Sequence, residues 1–370
     1  MNNLNLNWAR LRQHIFVFDA TLALLIFLIL SVGLVTLYSA GLDFPGRLED
    51  QLRNILVAFF IMWIVANIPP QTLMRFAIPL YTLGVALLLA VAAFGLVKKG
   101  ARRWLNIGVT TIQPSEMMKI ATPLMLAWYF QKREGAVRMR DFAIAAVILG
   151  IPVALIVKQP DLGTSLLVIA AGFTVVFLAG LSWRFIIGLI LLAAVLIPTV
   201  IWPRLHGFQR DRVLTFLDPN RDPLGKGFHI LQSQIAIGSG GVHGKGWTKG
   251  TQSHLDFIPE HTTDFISAVF SEEFGLIGNI VLVTLYFLLV ARCLMIAANA
   301  PTLFSRLMAG SITVIFFTYA FFNLGMVCGL LPVVGVPLPL FSYGGTALVT
   351  LGMGLGILMS VQRHRKLVQT

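Results

Sequence analysis

Residues 163–202 read GTSLLVIAAGFTVVFLAGLSWRFIIGLILLAAVLIPTVIW and carry one charged side chain, Arg184. A helix needs about 20 apolar residues to cross the ~30 Å hydrocarbon core of a bilayer, so this stretch suffices for two crossings. The break at Gly180-Leu181-Ser182-Trp183-Arg184 divides it into a helical hairpin.

The pattern continues in both directions. Apolar runs near 17–39, 53–68, 73–96, 116–131, 142–158, 162–181, 184–202, 264–294, 304–330 and 343–362 predict ten spans, those at 53–68 and 116–131 being short. Of 370 residues, 57% are hydrophobic and 12% charged, against roughly 45–50% and about 25% in soluble domains. The shortage of charge is the more telling deviation, because a water-facing surface needs it. The fold class expected is an all-α polytopic membrane protein: one integral membrane domain over 1–370, about ten transmembrane helices, and a large ordered extracytoplasmic loop between spans seven and eight. The apolar run at 15–39 exceeds the roughly 7–15 residues of a signal-peptide core and reads as a retained first span. Cys293 and Cys328 both lie in apolar runs, which argues against a disulfide and excludes a cysteine metal site.

A net charge of +12 in a soluble protein would suggest nucleic acid. Here the cations sit in short clusters between apolar runs, at Arg10/Arg12, Lys132/Arg133/Arg138/Arg140 and Arg363/Arg365/Lys366. The positive-inside rule places these clusters, and both termini, in the cytoplasm. Lys98, Lys99, Arg102 and Arg103 then fall outside. Translocating positive charge is unfavourable, so an anionic substrate at the outer face is the functional reading. The long polar stretch at 203–263 is also external. Its aromatic and aliphatic residues, Phe216, Ile230, Ile235, Trp247 and Phe257, argue for an ordered loop over the mouth of the bundle.

Ionisable residues inside spans are functional candidates because burying them is expensive. Asp19, Glu116, Lys119, Asp161, Asp264, Glu272 and Glu273 qualify. Asp264 opens the eighth span, either as a cap or first-turn acid or as a general base at the membrane boundary. Ser267, Ala268 and Ser271 share its helical face, small enough to leave room for a ligand, while Glu273 points to the opposite face toward a neighbouring helix. Gln113-Pro114-Ser115-Glu116 opens the fourth span with Lys119 one turn on. Glu116 and Lys119 form an intrahelical pair, or Lys119 faces the interior as a phosphate site. Gln159-Pro160-Asp161-Leu162-Gly163-Thr164 opens the sixth span, with Asp161 as its cap or as part of a cluster of helix mouths. His254 and His261 read as ordinary surface histidines of an exposed loop. The glycines of 238–250 match neither a P-loop nor a dinucleotide fingerprint.

These motifs resemble the SEDS family (shape, elongation, division and sporulation). The resemblance rests on Arg103-Trp104-Leu105, Gln113 to Glu116, Gln159 to Thr164, Gly227 to Gln234, Gly244-Lys245-Gly246-Trp247, Gly250-Thr251-Gln252, Thr263-Asp264-Phe265, Glu272 to Gly275, Gly329 to Pro339 and Ser342-Tyr343-Gly344-Gly345. The wording Val333-Val334-Gly335-Val336-Pro337-Leu338-Pro339 is that of the elongation branch. The resemblance implies a peptidoglycan glycosyltransferase that polymerises lipid II in the bacterial inner membrane, with its active site on the periplasmic side. It places the catalytic aspartate at Asp264. Lys119, Glu116, Gln113, Arg103, Asp161, Gln232, Ser233 and Thr263 are the substrate-binding candidates. No protein metal site is expected, though a divalent cation (Mg or Mn) would suit the pyrophosphate. Partners implied are a class B penicillin-binding protein, other elongation-complex proteins and membrane lipid, without nucleic acid. One departure stands out: the family pattern Pro-Glu-x-His-Thr-Asp-Phe appears here as Pro259-Glu260-His261-Thr262-Thr263-Asp264-Phe265, so His261 does not inherit the family histidine's role. Competing readings are a lipid II flippase and a non-catalytic scaffold.

Overall fold

An apolar chain in hydrocarbon must satisfy its own backbone hydrogen bonds, and a helix does so within one segment. The computed structural model describes residues 18–98, 101–106, 108, 111–204, 214, 227–254 and 260–365. Expectations placed on Arg10, Arg12, Lys99, Phe216, Phe257, Pro259 and Lys366 lie outside these residues.

Helices occupy all ten predicted runs: α1 (Ala20–Ala40), α2 (Arg47–Asn67), α3 (Pro70–Arg75), α4 (Ala77–Phe94), α5 (Pro114–Gln131), α6 (Met139–Lys158), α7 (Leu162–Leu178), α8 (Trp183–Leu196), α11 (Ile266–Ala298), α12 (Leu303–Val327) and α13 (Thr346–Arg363). In the long polar stretch lie α9 (Phe228–Gly240) and the short α10 (Thr251–His254). The run at 73–96 is two helices, α3 and α4, and 163–202 breaks where predicted, between Leu178 and Trp183. Among the described residues, seven helices are long and apolar enough to cross a membrane, and α7, at 17 residues, is slightly shorter. The other two, α2 and α5, are diluted by charge: Arg47, Glu49, Asp50 and Arg53 in one, Glu116 and Lys119 in the other.

The all-α expectation fails in one place. Leu96–Lys98 (β1), Ala101–Asn106 (β2) and Thr111–Ile112 (β3) form a small antiparallel sheet between α4 and α5. The run Ala101-Arg102-Arg103-Trp104-Leu105-Asn106 offers no apolar stripe at helical spacing, and its backbone pairs with Leu96–Lys98 on one side and Thr111–Ile112 on the other.

Helix α12 lies at the centre, packed against α5, α7, α11 and α13. Helix α13 lies along α2 because Gly352 and Gly356 stand one turn apart on the contact face. A Cβ at these positions would come within 2.8 Å of the Ala58 carbonyl and 2.7 Å of the Met62 carbonyl. Small residues let helix backbones approach closely in lipid. Helix α8 sits at the edge with Trp183, Phe185, Ile190 and Leu191 exposed, a surface suited to lipid.

Polar contacts define two ends of the bundle. At one, Asp19 caps α1 through Leu22 N (2.9 Å) and pairs with Arg292 of α11 (3.0 and 2.5 Å). There too Arg363 donates to Asn67 (2.7 Å), and Gln131 accepts from Phe304 N (2.6 Å). The opposite end gathers the starts of α5, α7 and α11.

Helix α11 breaks at Gly275, whose φ of 62° and ψ of −158° are not helical. The break frees backbone groups that residues 241–246 satisfy: Lys245 N and Gly246 N donate to the Glu272 and Glu273 carbonyls, both at 3.0 Å. In return Leu276 N donates to Gly241 O (2.9 Å) and Ile277 N to Val242 O (3.2 Å). A side chain at Gly244 would strike the Glu273 carbonyl, and one at Gly275 would strike Gly244 N. The glycine cluster is thus a docking strand for a helix kink.

Candidate functional site

Helix α5 begins with Pro114 at its first position, where a missing N–H costs nothing. The preceding Gln113 donates through Nε2 to Asp161 Oδ2 (3.0 Å) and Ser115 Oγ (3.1 Å). Asp161 is the N-cap of α7 and accepts from Thr164 N at 3.2 Å. Its other neighbour is Arg103, with Nη1 3.9 Å from Oδ1. Arg103 also donates to the carbonyls of Gln159 (3.4 Å) and Pro160. Asp161 is therefore both cap and cluster member, joining two helix mouths to β2.

One turn into α5 lies Lys119, 2% exposed. Its ammonium is 2.5 Å from Glu116 Oε1 and donates to the hydroxyl of Tyr319 on α12. The intrahelical pair and the inward-facing lysine are one arrangement. Glu116 Oε2 is buried with no hydrogen-bond partner among the described residues. The pair carries no net charge, so the positive charge beside these helix mouths is that of Arg102, which is exposed, and Arg103, which is half-buried.

Asp264 lies in the turn before α11. The N-cap is Phe265, whose side chain makes no capping hydrogen bond, so Asp264 lies one residue before the cap position. Its carboxylate, half-buried, faces Gly335: a Cβ there would stand 3.3 Å from Oδ2. Its carbonyl accepts from Asn323 Nδ2 at 2.7 Å.

The turn carrying Asp264 is held on its other side by α2 and by residues 342–344. Arg47 donates to Thr262 Oγ1, with its guanidinium over Phe44 (4.0 Å) and Tyr343 (5.2 Å). Tyr343 N donates to the Thr262 carbonyl at 3.0 Å. Gln51 donates to Ser342 O and accepts from Gly344 N, both at 3.2 Å.

The segment Val334–Val336 connects the two groups. A Cβ at Gly163 in the first turn of α7 would lie 2.7 Å from Val334 O, and Asp264 stands against Gly335. Of the predicted residues, Arg103, Gln113 and Asp161 form one linked group, Glu116 and Lys119 pair one turn further along α5, and Asp264 lies on the other side of this segment. Thr263 turns away, its hydroxyl within reach of Glu260 O (3.3 Å) and Oε2 (3.1 Å). Gln232 and Ser233 ride on α9, which packs on α11, with Ser233 buried.

Two expectations are corrected. His261 is 5% exposed, with its ring 5.7 Å from that of Phe44, and is no surface histidine. The face of Ser267, Ala268 and Ser271 leaves no room for a ligand, since all three are buried in helix contacts. Glu273 meets its neighbours as predicted: Oε1 accepts from Ser39 of α1 and from Thr248 N (3.1 Å). Tyr319, Asn323, Arg47 and Gln51 escaped the sequence reading. The only signal for the first two is polarity deep in an apolar run, where hydrocarbon obliges each polar group to find a partner.

Residues 15–367 match the family of cell cycle proteins designated FTSW_RODA_SPOVE. This chain is a member of the SEDS family. Among SEDS relatives is the peptidoglycan glycosyltransferase MrdB of Escherichia coli K12, 48% identical over 350 residues that cover 95% of each chain. A chain of the solved structure described as structural coordination of polymerization and crosslinking by a peptidoglycan synthase complex is 34% identical. It superposes with a TM-score of 0.84, covering 95% of this chain and 99% of that one. The rod shape determining protein RodA of Thermus thermophilus is 31% identical with a TM-score of 0.72, over 95% and 98% of the two chains. The SEDS match spans both the Asp161 group and Asp264.

Proposed function

We infer that this chain is a peptidoglycan glycosyltransferase of the bacterial inner membrane that polymerises lipid II into glycan strands during cell-wall elongation and rod-shape maintenance. One observation carries the assignment of the reacting group: Asp264 sits in a turn at a helix mouth, with its carboxylate half-buried against Gly335, a residue that has no side chain. Asp264 accepts the proton of the acceptor sugar's 4-hydroxyl. The freed oxygen attacks the donor's anomeric carbon, the bond from that carbon to the phosphate oxygen breaks, and undecaprenyl pyrophosphate departs. Direct displacement inverts the anomeric centre. Arg103 and Arg102 are placed to balance the leaving pyrophosphate. Gln113 and Asp161 hold Arg103 and the two helix mouths in register, and Lys119 and Glu116 form a buried pair one turn further along α5.

A Mg or Mn ion would take hard oxygen ligands, in practice substrate phosphates with one or two carboxylates. No group of three or more acidic, histidine or cysteine residues that could hold a metal ion gathers among the described residues, and no step is assigned to one.

The chain spans the membrane about ten times as one domain over 1–370. The end bearing Arg138, Arg140 and Arg363 is cytoplasmic with both termini, and the end bearing Asp264 and the 203–263 loop is periplasmic. A solved relative belongs to a peptidoglycan synthase complex, which supports a class B penicillin-binding protein as partner here, within a larger elongation complex.

The test is Asp264→Asn. Asparagine keeps the size but cannot take a proton as a carboxylate does. Removal of a general base lowers the rate by about 10²–10⁴-fold. A variant that melts like the parent protein and polymerises at the parent rate would return Asp264 to a structural role.

A further inference from the structure

Asn323, on the central helix α12, is fully buried. Its amide has two N–H donors and both are used: Nδ2 donates to the Asp264 carbonyl at 2.7 Å and to the Val336 carbonyl at 2.8 Å. Its Oδ1 accepts from Ser267 Oγ at 2.9 Å. One side chain thus ties together the turn bearing Asp264, the first turn of α11, and the segment against which the Asp264 carboxylate rests. That segment is irregular at this point, with Gly335 at φ +69°, so no ladder of its own backbone bonds fixes its height. Ser271 extends the network along α11: its hydroxyl, with one proton to give, lies 2.6 Å from Ser267 O and 2.9 Å from Asn279 Oδ1, while Asn279 Nδ2 donates to Gly275 O (2.8 Å) at the kink.

We propose that Asn323 is a positioning residue for the glycosyl transfer: by bridging the Asp264 and Val336 carbonyls it sets where the Asp264 carboxylate stands relative to Gly335 and the substrate. This rests on Asp264 being the base. Displacing a reacting group by about 1 Å costs on the order of 10²-fold in rate, and buried amide bonds of this kind hold position more tightly than apolar packing does. Asn323 does not touch the substrate in this account, so its loss affects the chemical step and spares binding.

The experiment compares Asn323→Ala, Asn323→Asp and Ser267→Ala in detergent, reading kcat and KM for labelled lipid II, the pH–rate profile and the melting temperature of each sample. Ser267→Ala breaks the same network but leaves both carbonyl contacts of Asn323. Expected for Asn323→Ala is a fall in kcat of at least about tenfold with KM held within about twofold, and a displaced pH–rate profile. Ser267→Ala lowers the melting temperature and keeps kcat. Asn323→Asp offers at most one donor where the amide offers two, so its kcat falls between those of the parent and of Asn323→Ala. That variant preserves the size of the side chain and serves if the alanine variant does not fold. A folded Asn323 variant with parental kcat and pH profile overturns the proposal, as does an equal loss of kcat in Ser267→Ala. Asp264→Asn run alongside separates the two readings. If it retains the parent rate, the base assignment fails. If it is inactive while the Asn323 variants turn over normally, only the positioning role fails.

Discussion

At the scale of single residues, the buried Lys119–Glu116 pair decides between stability and substrate binding. Lys119→Ala is expected to lower activity more than Lys132→Ala, because Lys132 lies over Trp128 (4.5 Å) at the rim of the bundle while Lys119 is buried against Tyr319. Equal activities at equal expression would remove Lys119 from the site. The alanine variant also strands Glu116 in a dry interior, and breaking one half of a buried pair costs about 3–5 kcal/mol. A Lys119→Met, Glu116→Gln double variant removes both charges and restores much of that stability. If it melts near the parent temperature and remains inactive, the pair serves the reaction; recovery of activity would reduce it to a structural pair. The charged members of the site were legible in the sequence, since an acid or lysine in an apolar run has no bland surface to occupy. Asn323 and Tyr319 were not legible, because an uncharged polar residue in a span declares itself only through a partner many residues away. The burial of His261 was hidden for the same reason: Phe44, its neighbour, is more than two hundred residues distant in sequence.

At the scale of elements, hydrophobic runs located the helices well because membrane spans are long and their composition is extreme. They could not show that α11 is broken, since Glu272-Glu273-Phe274-Gly275 reads equally as a continuous helix. Nor could they show that the glycines of 240–246 exist to fit that break: the pairing joins two segments about thirty residues apart. The same holds for β1 to β3, too short to stand out beside the spans. The kink carries a prediction. Gly244 has φ +79° and its position leaves no space beside the Glu273 carbonyl. Gly244→Ala therefore combines a left-handed alanine with a steric clash, each strain worth about 1–3 kcal/mol, and the melting temperature should fall by several degrees. Gly150 on α6 has open space where a Cβ would go, and Gly150→Ala gains about 0.5–1 kcal/mol of helix propensity, so its melting temperature should hold or rise. Unchanged melting in Gly244→Ala would contradict the docking of this loop into the kink.

At the scale of the whole molecule, the two polar ends define an orientation, and in a background with Cys293 and Cys328 replaced by serine it is open to single-cysteine labelling. A cysteine at Lys249, exposed in the glycine-rich loop, should react with an impermeant thiol reagent added to intact spheroplasts; one at Arg140, exposed at the other end, should react only after lysis. The reverse pattern would invert the topology and place Asp264 in the cytoplasm. Which activity the assembled bundle performs is settled by a different measurement. Broken helices and buried charge also suit a transporter, but a transporter has nothing to do in a micelle with no second compartment. The decisive measurement is the polymerisation of labelled lipid II by the purified protein in detergent, together with the penicillin-binding partner. Glycan strands formed there, and abolished by Asp264→Asn in this chain, are the result expected of a glycosyltransferase. Strand formation undiminished when Asp264→Asn replaces the parent chain would contradict it.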